Sequence, residues 1–238
     1  MPPVVKNLLI LNVLMFFAKF TFERQGIQLD FILGLSNPAS PNFEPYQIIT
    51  YMFMHGDLGH LFFNMFALVT FGSILERMWG PKRFISFYFI TGIGAMFLYS
   101  LVNYVEYLQL VSKLPADVVE VVKENGQSLF KQGMNYSDET VAALNLSLNM
   151  PAVGASGALY GIMIAFGMLF PNTEMMLIFL PIPIKAKYFI PVMIFIELYL
   201  GVMQYSWDNV AHFAHLGGAL IGGLIVYFQK KKDRRNFY

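Results

Sequence analysis

The chain has 238 residues, of which 56% are apolar and 13% charged, with a formal net charge of +1. A soluble domain carries about a quarter charged residues. The composition therefore excludes an ordinary soluble fold and fits a polytopic membrane protein, while the near-neutral balance gives no reason to expect nucleic acid as a partner. With no cysteine, disulfides, thiolate metal sites and a cysteine nucleophile are excluded.

The apolar runs predict one all-α domain over 1–238, a bundle of six transmembrane helices. The first span, about Val4–Phe22, lacks a small-residue cleavage site and is read as retained, with Lys19 snorkelling at its far end. Residues 23–54, with Pro38, Pro41 and Pro45, are expected to be irregular. The second span is about Leu58–Met78 and the third about Phe84–Tyr107. A polar stretch, 108–150, reads as an extended outward-facing loop holding one surface amphipathic helix, about Ala116–Gly126. The fourth span is about Ala152–Phe170, the fifth about Tyr188–Gln204 and the sixth about Val210–Phe228.

Orientation follows from Lys and Arg. With both termini cytoplasmic, most of the 16 basic residues fall inside, and only Arg24, Lys113, Lys123 and Lys131 fall outside. The bias suits a bacterial plasma membrane, with the tail Lys230–Arg235 held on anionic lipid. Spans two, four and six then all run inward, so their N-terminal ends lie together at the outer face. That parity brings His60 and Asn64, Ser156 and His215 to similar depths, with His215 about 8 Å below its helix start.

Polar residues at such depth face the protein interior or a wet cavity. Serine needs a base to become a nucleophile, and His215 is the natural one. His60 and Asn64, spaced i, i+4, project from one helix face. There they can join the Ser156 N–H as donors to a developing oxyanion. Gly154 and Gly157 allow close approach around Ser156, and the ladder Ala214, Gly218, Gly222 allows span six to pack tightly against its neighbour. Tyr160, one turn after Ser156, is placed to stack on His215. None of these three spans carries a carboxylate at that depth, so the imidazole is expected to work without an acidic orienter. Glu197 lies in span five with no assigned partner, and Glu76, beside Arg77, is read as structural. His55 is expected to brace the first loop. His55, His60, His212 and His215 could be grouped as a metal site, but no H-E-x-x-H and no acidic base accompany them, so no metal or cofactor is expected.

At these residues the sequence resembles the rhomboid family of intramembrane serine proteases, over about Phe43–Phe228. Gly154-Ala155-Ser156-Gly157 is similar to the family's G-x-S-G, and Ala211 to Gly218 to its sixth-helix motif. His55, His60 and Asn64 match the second-helix pattern, and Gly72, Glu76 and Gly80 the ladder that closes that helix. Tyr46-Gln47 stands where many members carry Trp-Arg. The resemblance implies Ser156 as nucleophile, His215 as base, and His60 and Asn64 at the oxyanion. It also implies cleavage of single-span membrane proteins near the outer face, in the lipid bilayer. Span five and the loop 205–209, with Trp207, are the candidate gates. Two alternatives stand beside this reading: a non-catalytic rhomboid-like binder of membrane helices, and a histidine-lined metal transporter. The residues leave the oligomeric state unknown.

Overall fold

The computed structural model describes residues 1–177, 180–203 and 210–235. Helix α1 (Pro3–Glu23) opens on a proline, which has no hydrogen bond to lose in a first turn. Two of its other first-turn N–H groups, on Val4 and Val5, donate to the buried carboxylate of Glu76 at 2.9 and 2.8 Å. Glu76 therefore caps α1 from a distant part of the chain.

Residues 23–54 are more regular than expected. They hold α2 (Leu29–Leu33), α3 (Gln47–Thr50) and a 3₁₀ turn, Tyr51–Phe53. Gln47 organises them: its Oε1 accepts from the N–H groups of Ser36 and Glu44, and its Nε2 donates to the carbonyls of Ile32 and Asn42. Its neighbour Tyr46 is exposed, so one residue of the pair supplies the anchoring. The snorkelling expected of Lys19 is corrected. Its ammonium pairs with Asp30 and donates to the carbonyls of His55 and Gly56 at 3.2 and 3.0 Å, because two carbonyls and a carboxylate lie within reach.

Helix α4 (Leu58–Ala67) starts at Asp57, whose side chain accepts the His60 N–H at 2.9 Å. A π-helical turn, Leu68–Gly72, joins it to α5 (Ser73–Trp79) as one stretch of 22 residues. Gly80, at φ 80°, ends that stretch and Pro81 begins α6 (Pro81–Val111). The segment 108–150 is no simple loop. Helix α6 runs into it, and it holds two helices, α7 (Ala116–Lys131) and α8 (Glu139–Asn149). Val119 and Val122 pack on Leu144 and Leu148 as a small separate core with Tyr107. Gly126 is a contact rather than a stop: a β-carbon there would lie 2.0 Å from Asn145 Oδ1. The chain continues through α9 (Ser156–Leu169), a hairpin of β1 (Glu174–Leu177) and β2 (Leu180–Lys185), α10 (Ala186–Met203) and α11 (His212–Arg235). The antiparallel hairpin, Glu174 opposite Lys185, departs from the all-α expectation.

Among the described residues, four stretches are long and apolar enough to cross a bilayer: α1, α4–α5, α6 and α10. The protein is thus a mostly helical, multi-pass membrane protein. Helix α9 is apolar but has 14 residues, about 21 Å at 1.5 Å per residue. Helix α11 is longer but ends in a basic run.

Contacts at the two ends give each helix its direction. Helix α1 starts at Glu76, the end of α4–α5, and its Lys19 reaches the start of α4, so these two are antiparallel. Ser156 meets His215 at the starts of α9 and α11, and Lys230 donates to Met168 O at their ends, so these two are parallel. Ile190 near the start of α10 would touch a β-carbon on Gly167, while Gly201 near its end faces His212 and Phe213. Helix α10 therefore runs opposite to both. Tyr51, Met52, Leu68, Phe84, Tyr88, Ala158, Leu159 and Ile162 form the main core between these helices.

Candidate active site

Gly154, at φ 131°, turns the chain into α9 and donates its N–H to Tyr51 O at 2.9 Å. That φ favours glycine, and space demands it as well. A β-carbon on Gly154 would lie 2.8 Å from His60 Nε2 and 3.5 Å from Ser156 Oγ. Just upstream, Leu35 and Ala152 exchange two backbone hydrogen bonds of 2.8 and 2.9 Å, which stitch the first loop to the approach to Ser156.

Ser156 is the first residue of α9 and is half-buried. Its hydroxyl is 2.8 Å from His215 Nε2. The close approach of α9 and α11 allows this contact. A β-carbon on Gly218 would lie 1.8 Å from Gly157 O, and one on Gly222 would lie 2.7 Å from Gly161 Cα. Tyr160 stacks on His215 with ring centroids 4.3 Å apart and planes 9° from parallel. His60 stands across Gly154 from Ser156, with the buried His55 ring edge-on to it at 5.0 Å. Burial takes the His55 imidazole down to about 3, with the neighbouring His60 pushing the same way. Asn64, one turn after His60 on the same face, is buried, and its Nδ2 has no hydrogen-bond partner among the described residues. A buried idle donor is uncommon and calls for a reason.

The expected lack of an acidic neighbour is corrected. Glu197 reaches in from α10 and puts Oε2 2.9 Å from His215 Nδ1 and 2.6 Å from His212 Nδ1, while the Tyr160 hydroxyl bonds Oε1. Glu197 stands on α10, outside the three spans whose N-terminal ends converge, which is why parity and depth do not point to it. An acid inside an apolar helix was the available signal. Its partner, 18 residues away in sequence, is decided by how α10 packs on α11.

Glu197, His212 and His215 offer ligand atoms within 4.8 Å of one another. Ligands about 2.0–2.1 Å from a tetrahedral zinc stand about 3.3 Å apart. The 2.6 and 2.9 Å separations are those of direct hydrogen bonds. The loop 205–209, named above as a gate, lies outside the described residues.

The start of α4 lies against Gly154 and the start of α9 against that of α11, so a half-buried serine and a buried imidazole pair at helix N-termini in a multi-pass membrane protein. The Rhomboid domain family matches residues 42–232, and the chain belongs to the rhomboid family. Relatives include RHOMBOID-like protein 12, mitochondrial, of Arabidopsis thaliana, 26% identical over 98% of this chain and 60% of that protein. Rhomboid protein 1, mitochondrial, of Saccharomyces cerevisiae is 27% identical over 79% of this chain and 44% of that protein. Inactive RHOMBOID-like protein 8 of Arabidopsis thaliana is 38% identical over 29% of this chain and 20% of its own. The chain thus spans about half the length of the first two relatives.

Proposed function

We propose that the protein is an intramembrane serine endopeptidase, and that six helices, with α9 and α11 added to the four long spans, form its membrane domain. The observation that carries this reading is the 2.8 Å contact between Ser156 Oγ and His215 Nε2, beside the idle Asn64 donor. Ser156 Oγ attacks the scissile carbonyl carbon and His215 Nε2 takes its proton. The Ser156 N–H, His60 and Asn64 donate to the oxygen that becomes negative. The C–N bond then breaks and His215 returns the proton to the leaving amine. Water repeats the sequence on the acyl-enzyme.

The short α9 sets the depth of the chemistry. A bilayer core is about 30 Å thick, so a helix of 14 residues begins below one surface and carries Ser156 with it. A substrate helix hides its carbonyls in its own hydrogen bonds, so single-span proteins with residues that unwind easily near the outer face are the proposed substrates. The basic flanks put both termini on the cytoplasmic side. Residence in a bacterial plasma membrane rests on that charge bias alone, since two of the relatives named above carry mitochondrial names.

The test is cleavage of a model single-span substrate in proteoliposomes by the wild type, Ser156→Ala and His215→Ala. Cleavage by the wild type alone supports the reading, and equal cleavage by all three ends it. A non-catalytic binder of membrane helices is the second reading, suggested by the inactive relative. Covalent labelling of Ser156 by a fluorophosphonate probe, lost in His215→Ala, separates the two.

A further inference from the structure

We infer that Glu197 is a positioning residue that turns the proposed Ser156–His215 pair into a Ser–His–Glu triad supplied by three helices; the inference rests on the endopeptidase reading. The starting point is the set of donors around one carboxylate. His215 Nδ1 and His212 Nδ1 both face Oε2, and the Tyr160 hydroxyl faces Oε1. Oε2 can carry at most one proton, so at least one imidazole must donate to it. An ionised carboxylate accepts all three bonds at once. That arrangement puts the His215 proton on Nδ1 and leaves Nε2 with a lone pair, 2.8 Å from the Ser156 hydroxyl.

Two consequences follow for the reaction. When Nε2 takes the serine proton, His215 becomes a cation between the Tyr160 ring face and the Glu197 carboxylate. Both contacts stabilise a cation. The Nδ1 proton stays on the imidazole throughout, so Glu197 gains and loses nothing. His212 and Tyr160 fix the carboxylate in turn, which is why a charge can remain buried beside apolar helices.

The placement also couples α10 to the chemistry. Glu197 is a buried acid on a helix whose other faces carry exposed Val192, Phe195, Ile196 and Val202. A displacement of α10 away from α11 would withdraw the orienter from His215, so activity requires α10 in its seated position.

The experiment measures kcat and KM for a model substrate in proteoliposomes, with melting temperature, for wild type, Ser156→Ala, Glu197→Gln and Glu197→Asp. Glu197→Gln keeps the shape and removes the charge, and is expected to lower kcat about 100-fold or more, with KM changed by less than about threefold. Glu197→Asp keeps the charge and is expected to retain at least about ten times the kcat of Glu197→Gln. Glu197→Gln is expected to melt somewhat below the wild type, since its amide nitrogen faces a donor that the carboxylate accepted, so kcat is compared at equal folded fraction. If Glu197→Gln cleaves within about threefold of a Ser156-dependent wild type, the positioning role is overturned and the endopeptidase reading stands. If both variants lose kcat alike and melt well below the wild type, Glu197 is a structural residue and the inference is also overturned. If the wild type shows no Ser156-dependent cleavage, the endopeptidase reading itself fails.

Discussion

Asn64 holds a buried amide whose nitrogen donates to nothing among the described residues. An idle buried donor costs about 1–3 kcal/mol, which makes sense if a reacting oxygen is its partner. Asn64→Ala is therefore expected to cut kcat by about 10²–10³ while changing the melting temperature little; a large fall in melting temperature would make Asn64 structural. His55 behaves differently. Folded, it stays neutral down to about pH 3, whereas an unfolded histidine takes a proton below about 6.5. Its stabilisation is complete above 6.5 and is lost as the pH falls from 6.5 toward 3. Melting curves in detergent should show that loss in the wild type, and a shallower one in His55→Phe. Ser156, His60, Asn64 and His215 could be singled out from sequence because each is polar and close to the start of an apolar run. Glu197 could be noticed for the same reason, but its partner could not be named. Which face of α10 meets α11 is a packing fact, and α10 is apolar nearly all round.

Helices α9 and α11 touch backbone to backbone, and their glycines are the condition for it. Gly218 has no room for a methyl group, with Gly157 O at 1.8 Å from the site of its β-carbon. Overpacking of this kind costs about 1–3 kcal/mol or more, and it would push Ser156 from His215 before it unfolded the chain. Gly218→Ala is expected to lower cleavage at least about tenfold. Gly223→Ala, where the nearest atom is the Ile164 Cγ2 methyl at 3.3 Å and no backbone is in the way, should retain most activity. Equal activity in the two variants would contradict the close-contact account. The small-residue ladder of α11 was legible as a pattern. That the ladder faces the serine-bearing span follows from the Ser–His contact the chemistry needs; that Gly222 meets Gly161 on α9 is set by the packing register, which a pattern on one helix does not carry. Helix α7 is the opposite case: its amphipathic spacing was legible, yet its length and its partner α8 were not. Gly126 reads as a helix end in sequence and is a helix contact in space.

For the whole molecule, charge and parity make a test that needs no substrate. The chain has no cysteine, so single replacements report cleanly. Glu124→Cys on the exposed side of α7 and Lys231→Cys near the end of α11 are expected to react with a membrane-impermeant maleimide from opposite faces of sealed vesicles. Reaction of both from one face would refute the proposed topology of six crossings. The cap of α7 and α8 sits on the first loop and on α6 through Asn37, Asn42 and Asn103. That polar seam lies on the side of the molecule where α4, α9 and α11 begin.

Apolar run length, the spread of Lys and Arg, and the spacing of a few polar residues come from the chain alone. They determined that this is a membrane-crossing helical protein and which serine, histidines and asparagine sit near helix starts, because transfer of a segment into lipid depends on its own composition. Tertiary structure alone decided that Glu76 caps α1, that Lys19 ties the first loop, and that Glu197 stands behind His215. Each of those depends on which faces of two helices meet, and that is set by side-chain shape summed over the whole interface, where no local stretch of residues carries the answer.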